Sequence, residues 1–218
     1  MQRVPLPGAG PWNFREKWSA RRAYKKRMGQ IPGVPIGEGL VSAEDSAIIE
    51  EQLGFIPNNV VAVASRADNG EPAVLKLYPL AVSLKSARAG NFERQPFPTM
   101  YWLSSPEFKT CVSHLERRGL VAQWEKRLQG NQAYIDEMKM AHKEYANERW
   151  EMLMAADQKM VLKKGWDGAL GQSVGVAGIT QPAAIKCLHA HFAHFLATGN
   201  NLVGKWVQEA LDAELGKS

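Results

Sequence analysis

The sequence predicts an α+β fold in which a small antiparallel sheet of about three strands, within residues 59–104, packs against a mostly helical C-terminal half. Val-rich runs separated by turn residues lie in that segment, which is typical of strands. From Pro106 onward the apolar residues recur at helical spacing. With 45% of 218 residues hydrophobic, the chain can form one substantial core. We therefore predict a single α+β domain over residues 41–218, preceded by an extended basic N-terminal arm over residues 1–40.

The arm carries the positive charge of the chain. Eight of the 27 Lys and Arg residues and only two of the 22 acids lie within residues 1–40, which leaves the remainder slightly acidic. A domain that binds nucleic acid over a broad face is normally basic itself, so that function is disfavoured for the domain and stays open for the arm. The arm residues that we expect to contact a partner are Arg15, Lys17, Trp18, Arg21, Arg22, Lys25, Lys26 and Arg27.

Three roles fit the arm. Pro/Gly segments flank a central stretch, residues 12–28, in which aromatic and cationic side chains share one helical face. The stretch can be a solvated tail that packs its aromatic residues on the domain. It can instead anchor the protein on RNA or a larger assembly through phosphate contacts and stacking. An organellar targeting segment is the third role, although the several prolines count against it.

The first elements of the domain follow from local signals. Ser42 is a suitable N-cap for a helix that ends at Gly54. The run NNVVAVAS and the run AVLKLYPL read as a hairpin over residues 59–80, reversed at Asn69-Gly70. PTMYWLS (98–104) is a third strand, and residues 81–96 lack periodicity and are predicted to be a loop.

Helices account for most of the rest. We predict two helices that stop at Gly119 and Gly130, and a long one over 131–163 with a break near 155. A Gly-rich connection follows, without the spacing of a phosphate loop, and two last helices cover roughly 182–198 and 201–215. His114 and His142 look like isolated surface or boundary residues, and Cys111 like a core residue. No run is apolar enough to span a membrane, so we expect a soluble domain.

The stretch IKCLHAHFAHFLA (185–197) concentrates the reactive side chains. On a helical wheel, Cys187, His191 and His194 form a stripe beside a wide apolar face, and His189 lies on the opposite flank. The stripe can be a metal site, the boundary of a packed helix, or a polar site without metal. The chain offers no CxxC and no second His pair to complete a metal shell, so we expect no metal and no cofactor. Two cysteines in a chain of this length indicate a reducing compartment, the cytoplasm or the matrix of a mitochondrion or plastid.

The order of several segments resembles the family known as domain of unknown function 501. They are QLGFIPNNVVAVASR, PFPTMYWLSSP, VSHLERRGL, GVAGI and IKCLHAHFAHFLATGNNLVG, which together span most of residues 41–218. The basic arm lies outside the resemblance, which implies no established activity. It does mark Lys186, Cys187, His189 and His194 as positions of interest, and it demotes His191, where the family usually has an apolar residue.

The chain departs from the bacterial pattern at three cysteines. Bacterial members carry Arg-Cys-x-Cys-Gly in the hairpin and Thr-Cys-Pro after the third strand, where this chain has Arg66-Ala67-Asp68-Asn69-Gly70 and Ser104-Ser105-Pro106. Of the four motif cysteines only Cys187 remains. If the family binds a metal through them, the resemblance implies that this chain has lost it, since a thiolate-poor site binds a soft metal more weakly.

Two functions from different classes remain. The first, which we favour, is a non-enzymatic accessory or assembly subunit that docks its arm on a larger protein or ribonucleoprotein complex. The second is a small-ligand-binding protein or enzyme with a polar pocket that accepts an anionic, possibly phosphorylated, ligand. The residues expected to line this pocket are Arg66, Lys186, Cys187, His189 and His194.

Overall fold

A computed structural model describes residues 41–83, 93–214 and 216, which belong to one compact unit. The basic arm lies outside the described residues. The predicted α+β class is confirmed: a small antiparallel sheet packs against a mostly helical C-terminal half. Within these residues the strands are β1 Val60–Arg66, β2 Pro72–Leu77, β3 Leu80–Val82, β4 Arg94–Pro96 and β5 Tyr101–Leu103. The helices are α1 Ala43–Leu53, α2 Pro106–Arg117, α3 Leu120–Gln129, α4 Gln132–Met152, α5 Ala155–Lys163, α6 Asp167–Leu170, α7 Leu188–Thr198 and α8 Leu202–Glu214, with a 3₁₀ turn at Val176–Gly178.

The main sheet has the order β1-β2-β5, and both of its ladders are antiparallel. Since successive side chains of a strand point to opposite faces, the pairing Leu75↔Trp102 and the pairing Val74↔Leu103 belong to different faces. Leu75 packs with Ile49 of α1 on one face, whereas Val74 and Leu103 join the main core on the other. The sheet therefore separates a small cluster under α1 from the large helical core.

The predicted loop over residues 81–96 is partly wrong. Residues Leu80–Val82 and Arg94–Pro96 form a second, two-stranded antiparallel ladder. Each strand has only three residues, too few to show an alternating pattern in the sequence. The ladder is held to α5 by Asp157, which accepts hydrogen bonds from the Arg94 guanidinium and the Tyr78 hydroxyl.

The main core is built around α7. Leu188, Phe192 and Ala193 of this helix are fully buried, and they pack with α8 through residues such as Val207. Gly204 lets the two helices approach closely, because a Cβ there would lie 2.4 Å from the His191 carbonyl oxygen. The approach places the polar residues of α7 deep inside the domain.

Two helix boundaries differ in how well the sequence predicts them. The long predicted helix over 131–163 is divided as expected, with α4 ending at Met152 and α5 beginning at Ala155. The predicted helix over 182–198, in contrast, begins only at Leu188. The part of the chain that the structure describes contains no helix long and apolar enough to cross a membrane.

Candidate functional site

A polar cluster forms where the first turn of α7 meets one face of α2. Lys109, Ser113 and Glu116 are spaced four and three residues apart, so they line one side of α2. His189 lies against this side. Its Nδ1 is 3.2 Å from Glu116 Oε1, and its Nε2 is 3.1 Å from the Lys109 carbonyl oxygen and 3.2 Å from Ser113 Oγ. Both ring nitrogens therefore face oxygen atoms.

The hydrogen-bond directions fix the protonation of His189. The Ser113 hydroxyl donates to the Lys109 carbonyl at 2.7 Å, so its oxygen can only accept from the imidazole. The Nε2 atom is therefore a donor, and Nδ1 beside a carboxylate is a donor as well. A histidine that donates from both nitrogens is an imidazolium cation.

Electrostatics agrees with this assignment. A hydrogen bond to the Cys187 side chain raises the pKa of His189 to about 9, and burial opposes the shift; the Glu116 charge and the Lys109 carbonyl raise it further. At neutral pH the ring is accordingly charged. The cation is half-buried, which limits how far water screens its charge.

Cys187 stands directly before α7. Its backbone is extended, with φ −152° and ψ 115°, and it occupies the N-cap position without a side-chain capping bond. The Sγ atom, a Glu116 carboxylate oxygen and a His189 ring nitrogen all lie within 4.8 Å of one another. The sulfur thus lies between a cationic ring and a carboxylate, at the positive end of an eleven-residue helix.

Glu116 has a second task in this cluster. Its Oε1 also accepts the backbone N–H of Leu188 at 2.7 Å. One carboxylate therefore caps α7 from a neighbouring helix and holds the His189 ring. We call Glu116, Cys187 and His189 together the Cys-His-Glu cluster.

The cluster could offer a sulfur, a nitrogen and an oxygen atom to a metal ion. A histidine ligates through an unprotonated nitrogen, yet both nitrogens of His189 act as donors toward oxygen atoms. A cation would have to displace a proton and also break the contact to Glu116. The donor set therefore fits a charged hydrogen-bonded site better than a metal centre at neutral pH.

The five residues expected to line a pocket do not all meet. Cys187 and His189 come together. Arg66 lies on the hairpin, where its guanidinium forms two hydrogen bonds to Asp45, at 2.7 and 2.9 Å, and another to the Gly70 carbonyl. Lys186 is exposed and donates to the Gly178 carbonyl at 3.0 Å. The fifth residue, His194, is buried on a different side of α7.

The stripe predicted for Cys187, His191 and His194 is wrong, because Cys187 precedes the helix. The backbone N–H of Ile185 donates to Glu125, and that of Leu188 donates to Glu116. These side-chain acceptors replace the intrahelical bonds that a helix starting at 182 would have made. Cys187 is consequently beside His189, which the wheel had placed on the opposite flank.

The two remaining histidines of α7 belong to a buried group. Asn201 Nδ2 lies 3.2 Å from His191 Nδ1 and 3.1 Å from His194 Nδ1, and its Oδ1 accepts the Gly204 N–H at 2.8 Å. His194 also stacks on the Tyr101 ring, with 5.7 Å between ring centroids. This asparagine fixes both rings from the start of α8.

His142 completes the buried group, so its prediction as a surface or boundary residue is corrected. Its Nδ1 accepts the Val176 N–H at 3.2 Å, and its ring lies 5.9 Å from that of His191. Within the described part of the chain, the Nε2 atoms of both rings are buried without a hydrogen-bond partner. Burial lowers the pKa of His142 to about 4, of His191 to about 3 and of His194 to about 4. The three rings are therefore uncharged and are part of the packed core.

Comparisons with known proteins point to one family. The family described as "Protein of unknown function (DUF501)" matches residues 63–209. No curated protein and no solved structure matches the chain. The matched segment runs from β1 to α8 and contains all three residues of the Cys-His-Glu cluster. Because the match covers well over half of the 218 residues, the chain belongs to the DUF501 family of proteins of unknown function.

Proposed function

We propose that the protein acts through Cys187 as a nucleophilic thiolate on a small electrophilic ligand that carries a negative charge. The observation that supports this most is the pairing of His189, whose two nitrogens both donate to oxygen atoms. An imidazolium beside the sulfur favours the thiolate, which is the reactive form of cysteine. Glu116 holds the ring in place, as the third group does in nucleophile–base–carboxylate arrangements.

The preference for an anionic ligand comes from Lys186. This residue directly precedes Cys187 and is exposed. An ammonium group has three N–H donors, and the contact with the Gly178 carbonyl uses one of them. Two donors can therefore face a carboxylate or phosphate group of the ligand.

The simplest reaction for this arrangement is acyl transfer to sulfur. The thiolate attacks the carbonyl carbon of an activated ester, a C–S bond forms, and the alkoxide or phenoxide leaves with the electron pair of the broken C–O bond. The imidazolium of His189 stabilises the charge on sulfur before the attack and can give a proton to a basic leaving group. A thioester on Cys187 is the product of this step.

The experiment uses p-nitrophenyl acetate and the p-nitrophenyl monoester of succinic acid at pH 7. We expect a burst of p-nitrophenolate in proportion to protein, with the acyl group mapped to Cys187 by mass spectrometry. The succinyl ester should react faster, and Lys186→Gln should reduce this preference. His189→Gln should slow both reactions at least tenfold.

Cys111 is the matched internal control, because it is the other free cysteine and is also partly buried. Cys111→Ser should leave the burst unchanged, whereas Cys187→Ser should remove it. Equal acylation of both cysteines, or a burst that His189→Gln does not alter, would contradict the proposal.

A second function is supported by the charge of residues 1–40. We infer that the basic arm docks the protein, as an accessory or assembly subunit, on a larger ribonucleoprotein complex, since eight of its residues are basic and only two are acidic. Binding of single-stranded RNA by the full chain should weaken steeply with salt, and deletion of residues 1–40 should abolish it. Equal binding by the full and the shortened chain would exclude this role for the arm.

The proposed chemistry also bears on location. A nucleophilic thiolate must stay reduced, and both Cys111 and Cys187 are free. We accordingly place the protein in a reducing compartment, the cytoplasm or the matrix of an organelle. Fractionation of cells, followed by mass spectrometry of this chain, tests the placement.

A further inference from the structure

We infer that Cys187 is also a site of oxidation by hydrogen peroxide, and that the oxygen added to its sulfur caps helix α7. The first half of the inference rests on the proposed function, because it needs the same thiolate. The second half rests on where Cys187 stands in the fold. We thus assign to Cys187 a modification that changes the stability of α7, the helix at the centre of the core.

The N-cap position explains why an added oxygen would be stabilising. Helices prefer Asn, Asp or Ser there, because a side-chain oxygen accepts the N–H of the second or third helical residue. Cys187 occupies the position without such a bond. The carboxylate of Glu116 already accepts the N–H of the first helical residue, Leu188, at 2.7 Å. The N–H groups of His189 and Ala190 have no acceptor within the helix itself.

A sulfenate supplies the missing acceptor at the right length. Its oxygen is bonded to Sγ, just as an aspartate Oδ is bonded to Cγ, so each lies two bonds from Cβ. From the N-cap it can reach the N–H of His189 or Ala190 as an aspartate would. The His189 imidazolium, whose ring nitrogen lies within 4.8 Å of the sulfur, and the positive end of α7 both favour the negative charge, and they offset the repulsion from the Glu116 carboxylate, which lies equally near.

The oxidation step balances with peroxide alone. The Cys187 thiolate attacks one oxygen of hydrogen peroxide, an S–O bond forms and the O–O bond breaks. Sulfur is oxidised by two electrons, and peroxide is reduced to hydroxide, which takes a proton to become water. The sulfenic acid that remains loses its proton beside the imidazolium.

The oxidation is tested by treating the full chain with hydrogen peroxide at pH 7 in the presence of dimedone, which traps sulfenic acids. Peptide mapping should place the dimedone adduct on Cys187 at least ten times faster than on Cys111. His189→Gln should slow labelling of Cys187 by a similar factor. Comparable labelling of the two cysteines in the unmodified protein would overturn the inference.

The capping is tested without oxidation by comparing three variants. Cys187→Asp places an oxygen where the sulfenate oxygen would be, Cys187→Ser provides a neutral capping oxygen, and Cys187→Ala provides none. We expect the Asp and Ser variants to melt about 2–4 °C above the Ala variant. Equal melting temperatures of all three would overturn the capping.

The acylation and dimedone experiments together distinguish a failure of this inference from a failure of the proposed function. If Cys187 is acylated in a burst but gives no dimedone adduct, the oxidation site fails and the proposed function stands. If neither reaction favours Cys187 over Cys111, the thiolate itself is refuted and both proposals fail together.

Discussion

The carboxylate of Glu116 lies 3.2 Å from Nδ1 of His189, and through this contact α2 holds the first turn of α7. The same oxygen accepts the Leu188 N–H, so one side chain caps the helix and also adds to the rise in the His189 pKa that the Cys187 hydrogen bond causes. Neither residue is fully buried, which leaves the cluster open to reagents from solution. The contact therefore links the first turn of α7 to the charged ring that lies beside Cys187.

Replacing Glu116 by Gln separates these two tasks. Glutamine keeps an oxygen that can accept the Leu188 N–H, but it removes the negative charge beside His189. We expect the pKa of His189 to fall from about 9 toward its ordinary value, and alkylation of Cys187 by iodoacetamide at pH 7 to slow several-fold. The NMR titration of the His189 ring checks the first effect. A ring that titrates as in the unmodified protein would refute the assigned pairing.

His189 should make the protein less stable in alkali. Its pKa is about 9 in the folded state, above the value of about 6.5 expected for the unfolded chain. The folded state therefore binds the extra proton, and the stability gained is complete below pH 6.5 and lost as the pH rises through 9. Between about pH 8.5, where a cysteine of the unfolded chain is already half ionised, and pH 9.5 the free energy of unfolding in urea should fall. In His189→Gln it should stay level, and a parallel fall in both proteins would contradict the prediction.

The buried histidines should make the protein less stable in acid. The pKa of His142 is about 4 when folded, so between pH 4 and 6.5 the unfolded chain binds more protons and stability falls with acidification. His142→Asn keeps an acceptor for the Val176 N–H but removes the titration. We expect a shallower loss of stability below pH 6 in this variant, measured by urea unfolding. His114, which is exposed, provides the control, and His114→Asn should leave the acid limb unchanged.

Two of the three residues of the Cys-His-Glu cluster could be predicted from the sequence. The third could not, for a physical reason. Cys187 and His189 were singled out because reactive side chains are concentrated in their segment. Glu116 was not, since it lies more than seventy residues away and its contact depends on how α2 packs against α7. Sequence periodicity describes one helix at a time and carries no information about which faces of two helices meet.

The residue at which α7 begins also could not be predicted from the local sequence. The residues before Leu188 include apolar residues at helical spacing, which favoured a helix from 182 onward. In the structure, Glu125 and Glu116 from two other helices accept the N–H groups of Ile185 and Leu188. Tertiary hydrogen bonds thus replace a helical turn, and the local pattern cannot show this. The hairpin and the third strand were predicted because their turn residues and Val-rich runs are local signals.

Arg149 holds the Gly-rich connection after α6 in place. The side chain is fully buried, and its guanidinium donates to the carbonyl oxygens of Pro98, Leu170, Gly171 and Val174. Burial lowers its pKa, and carbonyl dipoles take the role that an acidic partner has in most buried ion pairs. The four carbonyls come from the segment before β5, from the last residue of α6 and from the connection that follows it.

Replacing Arg149 should therefore destabilise the domain through the carbonyls that it leaves behind. In Arg149→Met the buried carbonyls of Leu170, Gly171 and Val174 lose this donor, at about 1–3 kcal/mol for each one that water cannot reach. The Pro98 carbonyl keeps the Tyr145 hydroxyl as a donor. We expect a loss of at least about 3 kcal/mol in the free energy of unfolding, measured in urea. Arg149→Lys should lose less, since an ammonium keeps the charge but cannot span all four acceptors. Arg117→Met, at an exposed position, should change stability by less than about 0.5 kcal/mol. If Arg149→Met were as stable as this control, the carbonyl contacts would have no structural role.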